Sequence, residues 1–275
     1  MNTCITCSNT TKNLICDECW KNPYRIEDIR KYFAVKGEIA KLKKLYSNSC
    51  PEIKNVNTSK FWDKIFIDKL LNFKEEKLTE KRNKEIIKMI KKNGGSMLDI
   101  GIGSGSLEKK ILKKRIKNLS FYGIDISRVS INEVKKNIPG IFINGSIYKI
   151  PFQSNFFDIV VCLEVLEHIP PSRVFGALDE VWRTCREGGL LIVSVPLNEG
   201  LEELTKIGQN PSGHVRVYTP DLIKSELEIS GFKVFNVKFF YAFDDLFFLK
   251  NLFAKTLLNR KWKFNSELIF ARKSQ

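Results

Sequence analysis

Nowhere in the chain do eighteen apolar residues run together, and the first thirty residues hold no apolar stretch of the kind that a secretory leader carries. A spanning helix and a cleaved signal are therefore not expected, and a cytoplasmic location is. Histidine is scarce: with two in 275 residues, imidazole chemistry has only His168 and His214 to draw on. Acids are outnumbered, 31 Asp and Glu against 46 Lys and Arg, for a formal charge of +15. The excess is uneven, with +9 on residues 1–95, +1 on 96–235 and +5 on 236–275. That asymmetry suits terminal segments that meet an anionic partner, RNA or a lipid surface. A lysine-rich chain with solvated helix faces is the plainer explanation, since Lys and Glu interleave along 74–92. The composition, 43% hydrophobic and 28% charged, is that of a folded protein, and the length fits one full-sized domain with appendages.

Four of the seven cysteines fall in the first nineteen residues as Cys4-x-x-Cys7 and Cys16-x-x-Cys19. Each pair can wrap one side of a tetrahedral ion, so four thiolates close a structural zinc site in a knuckle over 1–20. Disulfides and a redox motif are the competing readings. Cys50, Cys162 and Cys185 make the total odd, and they read as small hydrophobes. From 21 to 93 the apolar spacing is helical, as in Phe61, Ile65, Phe66 and Leu70, with a loop at 47–58. This predicts a helical layer attached to a main domain over 94–275.

From Gly94 onward the period changes. Short continuous apolar runs alternate with amphipathic stretches, and strands are expected at 96–101, 119–125, 141–143, 157–163, 190–195, 232–240 and 267–272. Continuous rather than alternating runs suit strands covered on both faces, so the expected fold is α/β, a seven-stranded, mostly parallel, Rossmann-like sheet between helices.

The first of these strands runs into Asp99-Ile100-Gly101-Ile102-Gly103-Ser104-Gly105, and a helix follows. Glycines there allow a tight turn and close approach of a ligand to backbone. Asp125, twenty residues past Gly105, closes the next strand, where a carboxylate can accept both hydroxyls of a ribose. An adenosine-containing cofactor is indicated. The spacing G-x-G-x-G misplaces the third glycine for a pyrophosphate, and Asp99 would repel one while suiting an ammonium group. S-adenosylmethionine carries both an adenosine and an amino acid.

These residues resemble the class I S-adenosylmethionine-dependent methyltransferases, and the resemblance runs over about 94–235. Leu98 to Gly105 looks like the family's first motif and Tyr122-Gly123-Ile124-Asp125-Ile126-Ser127 its second. Ile150-Pro151-Phe152 with Phe157-Asp158-Ile159-Val160, Gly188-Gly189-Leu190, and Gly231-Phe232 are similar to the approaches to the fourth, fifth and sixth strands. The resemblance implies a last strand that is antiparallel. It also implies cofactor contacts from Asp99, Gly101, Gly103, Gly105, Asp125, Ile126, Ser146, Ile147, Cys162 and Leu163. Where many members keep an acid after the third strand this chain has Gly145-Ser146, whose hydroxyl can still accept from the adenine amino group.

The stretch Glu164-Val165-Leu166-Glu167-His168 resembles the E-x-x-E-H element of ubiquinone-biosynthesis O-methyltransferases. In a helical turn Glu164, Glu167 and His168 share a face, placed to grip a divalent ion such as Mg or to present a base to a hydroxyl. A pair that only shapes the pocket is the bland reading. His214, in a loop before a helix capped by Thr219 and Pro220, is a further catalytic candidate. No Asn/Asp-Pro-Pro-aromatic element follows the fourth expected strand, which disfavours methylation of exocyclic base amines. Between the last two strands, 239–263 inserts a Phe/Leu-rich and then basic stretch that suits a membrane interface, or else covers the sheet edge or a dimer surface. The leading expectation is O-methylation of an unidentified small-molecule, lipid-linked or glycan-linked acceptor. RNA or protein methylation through the knuckle and basic helices is the second, and a non-catalytic zinc-dependent interaction protein the third.

Overall fold

The computed structural model describes residues 2–3, 10–11, 55–71, 77–91, 94–116, 118–198, 201, 208, 210–241 and 264–274. Cys4, Cys7, Cys16 and Cys19, with the expected zinc site, lie outside them, as does 242–263 of the inserted segment. A two-residue antiparallel ladder joins β1 (Asn2–Thr3) to β2 (Thr10–Thr11). Helices α1 (Ser59–Leu71) and α2 (Lys77–Ile90) come next. The alternation then runs β3 (Gly95–Ile100), α3 (Ser106–Lys113), β4 (Leu119–Asp125), α4 (Arg128–Asn137), β5 (Ile141–Asn144), β6 (Phe157–Leu163), α5 (Val174–Thr184), β7 (Cys185–Pro196), α6 (Pro220–Ile229), β8 (Phe232–Phe240) and β9 (Ser266–Lys273). Among the described residues no helix is long and apolar enough to cross a membrane.

The main sheet has seven strands in the order β5-β4-β3-β6-β7-β9-β8. Only β9 runs against the others, pairing antiparallel with both β7 and β8. The chain steps outward from β3 to β4 and β5, then returns to build β6 and β7 on the other side. That reversal opens a crevice beyond the carboxyl ends of β3 and β6, where ligands of such sheets bind.

The continuous apolar runs are explained by burial on both faces. Along β6, Val160 and Cys162 join the cluster containing Leu178 and Val181 of α5 and Leu222 of α6. Ile159 and Val161 join the opposite cluster with Ile111 of α3 and Val134 of α4. Ile86, Ile87 and Ile90 of α2 belong to that second cluster, and burial of each contributes about 1.5–3 kcal/mol. This helix is thus part of the cover of the sheet. One boundary differs from expectation: β7 begins at Cys185 rather than Leu190, because Cys185 already pairs with Phe157 before a bulge shifts the register to Ile159 against Leu190. The Gly188-Gly189 pair, which reads as a turn, lies in that bulge; a Cβ on Gly189 would come within 2.7 Å of Cys185 Sγ.

Candidate functional site

The loop leaving β3 turns on glycines. Gly101 and Gly105 have φ of +74° and +64°, the left-handed region that glycine enters without cost. A Cβ on Gly101 would stand 2.6 Å from Val165 Cγ2, and one on Gly105 would overlap Ile138 Cδ1. The loop is pinned from the next strand: Gly103 N donates to Asp125 Oδ2 at 2.9 Å, and Ser127 N to Asp125 Oδ1 at 2.8 Å. The Ser130 hydroxyl also lies within hydrogen-bonding reach of this carboxylate, so at most two of its about four lone-pair positions are left. Burial raises the Asp125 carboxyl above its ordinary range.

Asp99 is buried at the foot of the same loop, 5% exposed. Burial, and then the nearby Glu108 and Asp125, push its carboxyl well above the usual range. Glu108 of α3 is 1% exposed and is pushed up by burial to about 7. Two acids buried side by side resist carrying both charges at once, and the nearby Arg82 opposes the rise at Asp99. Sequence reasoning missed Glu108, yet it had a readable signal, an acid between Leu107 and Ile111 on the buried face of α3.

Asp99, Asp125 and residues 101–104 of the loop line a cavity of about 1170 Å³, and Glu108 lies outside that lining. Pockets for single small ligands run to roughly 1,000 Å³, so there is room for a cofactor and an acceptor. Of the expected cofactor residues, Asp99, Gly101, Gly103, Asp125, Ile126, Ser146, Ile147 and Leu163 line it. Gly105 stands behind the loop as the cap of α3. Cys162 departs from expectation: its side chain is in the core with Leu98 and Val160, 1% exposed, so it meets the sheet cover and not the cavity.

The E-x-x-E-H stretch does not present one face. Glu164 leaves the end of β6 with φ +54°, and only Leu166–His168 form a single 3-10 turn. Glu164 Oε1 is held by Arg82 Nη1 of α2 and by Ser194 Oγ of β7, both at 2.7 Å. The three-residue set expected for a divalent ion is therefore broken. In its place Glu167, His168 and His214 come together, with one ligand atom from each lying within 4.8 Å of the others. Glu167 is fully buried, its Oε1 3.8 Å from His168 Nε2 and 4.0 Å from His214 Nε2.

Three neighbours hold this trio. Arg216, fully buried, makes a paired contact to Glu226 at 2.7 and 2.9 Å and donates from Nε to Leu166 O. The loop bearing His214 is thereby tied to the 3-10 turn, and Thr219 and Pro220 start α6 as the sequence predicts. From the other side Trp62 of α1 stands edge-on to His168, ring centroids 4.6 Å apart. Asn57 donates to His168 O and Gly213 O at 3.2 and 2.8 Å. The segment containing α1 is clamped over the crevice: Ser59 Oγ donates to Ile126 O, and Asp63 Oδ1 accepts from Ser127 Oγ. Arg173 lies over the Tyr148 ring at 3.6 Å, beside Ser146.

The chain is similar to known proteins in ways that agree with this geometry. Residues 98–193 match the family model described as a methyltransferase domain. The Bacillus subtilis protein YrhH, which is named as a methyltransferase, is 30% identical over 125 residues, 44% of this chain and 68% of YrhH. A sterol 24-C-methyltransferase of Gibberella zeae, ERG6B, is 26% identical over 56% of this chain, which spans only 43% of that protein. In structure, a SAM-dependent methyltransferase from Archaeoglobus fulgidus superimposes with a TM-score of 0.58 at 19% identity, covering 76% of this chain and 99% of that one. Identity of this degree across two thirds of YrhH, together with the matched domain, makes the chain a member of the class I S-adenosylmethionine-dependent methyltransferases.

Proposed function

We propose that this methyltransferase O-methylates a hydroxyl of a small-molecule, lipid-linked or glycan-linked acceptor that docks against Glu167, His168, His214 and Trp62. The observation that carries the reading is the convergence of that trio in the same cavity as the glycine loop and Asp125. Bound there, S-adenosylmethionine supplies an already activated methyl group with a neutral leaving group. The chain's own work is then mostly positioning. Asp125 accepts from the ribose, Asp99 faces the ammonium group, and Trp62 and Asn57 close the acceptor side against water. His168 Nδ1 lies 3.3 Å from Gly213 O, an atom that can only accept, so this contact favours the tautomer with its lone pair on Nε2. Nε2 then turns toward Glu167, where it can take and hold the proton of an acceptor hydroxyl.

Lone pairs from two imidazoles and a carboxylate that converge so closely also suit a divalent ion. Nitrogen-rich donors favour Zn, Mn or Fe over the Mg that two carboxylates would have favoured. The separations, 3.8 and 4.0 Å from Glu167 and up to 4.8 Å within the trio, exceed the ~3.4 Å expected around a tetrahedral ion with ~2.1 Å bonds, so the three side chains would have to draw together to hold one. A structural zinc on Cys4, Cys7, Cys16 and Cys19 and a peripheral position at an anionic lipid surface, through the basic termini, complete the proposal. The sterol substrate named for ERG6B is in keeping with a lipid-linked acceptor.

Methyl-labelled S-adenosylmethionine, incubated with the protein and an extract of its own cells, tests it. Label in the organic or small-molecule fraction, lost in Glu167→Gln, is the expected result. Label confined to RNase-sensitive precipitate would overturn the acceptor class and favour docking of RNA.

A further inference from the structure

The amino-acid end of the cofactor is a zwitterion, and only one of its charges has so far been given a partner. Asp99 faces the ammonium. The carboxylate needs a cation in the same corner of the cavity. Of the two arginines that line the cavity, Arg173 is exposed and lies over Tyr148 beside Ser146, the side on which an adenine would sit. Arg82 lies beside Asp99, close enough for its charge to act on that carboxyl.

We propose that Arg82 binds the methionine carboxylate of S-adenosylmethionine, and that Glu164 is the positioning residue that aims its guanidinium. Arg82 is the buried basic residue of α2, 8% exposed, whereas Lys77, Lys84 and Lys88 of that helix face solvent. Its Nη1 is engaged by Glu164 Oε1 at 2.7 Å and Ser194 Oγ at 3.2 Å. Its Nε is buried without a hydrogen-bond partner among the described residues. A guanidinium offers five donors in a planar fork matched to a carboxylate, and a buried donor left unmade costs stability until something accepts from it. The partner side is also built for the task. Glu164 is held at φ +54°, a conformation that costs a non-glycine residue energy and that persists where its surroundings enforce it. Its own N–H is tied to Ser194 O at 3.0 Å, so Ser194 fixes both the backbone and the carboxylate of Glu164. The E-x-x-E-H stretch thereby divides between two tasks: Glu164 serves the cofactor through Arg82, and Glu167 with His168 serves the acceptor.

Binding rather than turnover tests this. Calorimetry on the full chain would compare S-adenosylhomocysteine with its decarboxylated analogue, which keeps the adenosine, sulfur and amine and lacks only the carboxylate. The parent should prefer S-adenosylhomocysteine. Arg82→Gln should weaken S-adenosylhomocysteine by about tenfold to a hundredfold, the scale of a hydrogen bond to a charged group, and change the analogue less than threefold. Glu164→Gln should move the two ligands in the same unequal way by a smaller factor. Arg82→Lys, which keeps the charge should Arg82→Gln fail to fold, should retain part of the preference. Equal losses for both ligands, or an unchanged affinity for S-adenosylhomocysteine, would overturn the assignment. A parent protein that binds neither ligand would overturn the cofactor site itself, a separate failure that needs no variant to detect.

Discussion

Exchanging Asp125 for asparagine separates the brace that this carboxylate makes in the structure from the ribose contact proposed for it. Its oxygens accept from Gly103 N at 2.9 Å and Ser127 N at 2.8 Å, bracing the glycine loop against the end of β4. Those contacts, with the Ser130 hydroxyl also in reach, leave at most two of about four lone-pair positions for the proposed ribose contact. Asparagine has one acceptor oxygen and turns an NH2 toward whatever met the other. The brace therefore loses one charge-assisted hydrogen bond, about 1.5–3 kcal/mol of stability, and the ribose loses one of the same kind, about tenfold to a hundredfold in affinity. Chemical unfolding reads the first loss and calorimetry with S-adenosylhomocysteine the second. Asp158→Asn supplies the control: Asp158 accepts from Ser96 N at 2.7 Å at the far end of β3, outside the cavity lining. It should lower stability and leave ligand affinity unchanged. Should Asp125→Asn behave like this control, the ribose contact is refuted and Asp125 is a brace alone.

Two further predictions concern protons and metal. Glu108 stands at about 7 in the folded chain against 4.5 when free, through burial and opposed by Lys109, so the folded state binds the extra proton. Its contribution to stability is then fully present below about 4.5 and is lost as pH rises to about 7; Glu108→Gln should flatten that fall and exceed the parent at pH 8 by up to ~3 kcal/mol in urea unfolding, and parallel pH curves would refute it. Zinc analysis of protein purified under reducing conditions should return about one ion per chain, abolished by Cys4→Ser with Cys16→Ser; metal-free parent protein would remove the knuckle.

Most of the sheet was legible because its signal is redundant. The strands between β3 and β7 are short, largely apolar runs set off by polar or turn-forming residues, and the expected bounds of β4, β6 and β8 match those observed. The start of β7 was not legible, because a bulge of four residues containing Gly188-Gly189 has the same local signature as a turn. The site failed at one assumption. Reading Glu164, Glu167 and His168 as one face requires a helix, and the backbone forms a single 3-10 turn that begins only at Leu166. What was missed in α2 had a signal of its own: Arg82 precedes Ile86 by four residues and Asn83 precedes Ile87 by four. Both lie on the apolar stripe that faces the sheet, and a charge on a buried stripe marks a partner inside. Trp62 and Asn57 carry no such mark, since an aromatic among Phe61, Ile65 and Phe66 reads as ordinary packing.

The two halves of the cavity therefore differ in how far similarity can inform them. The residues proposed to hold the cofactor's adenosine and ammonium, Asp99 through Ser146, all fall inside 98–193, the span that matches the family model. The proposed acceptor side draws largely on residues outside that span: Asn57 and Trp62 from the segment of α1, and His214 from the loop before α6. Only Glu167 and His168 are shared. On the proposed reading, the methyltransferase domain sets where the methyl group is delivered and the flanking segments decide which acceptor meets it. Exchanging Trp62 for alanine should accordingly alter the choice among acceptors while leaving the affinity for S-adenosylhomocysteine in place, because the ring packs against Phe61 and His168 and donates to Asn57.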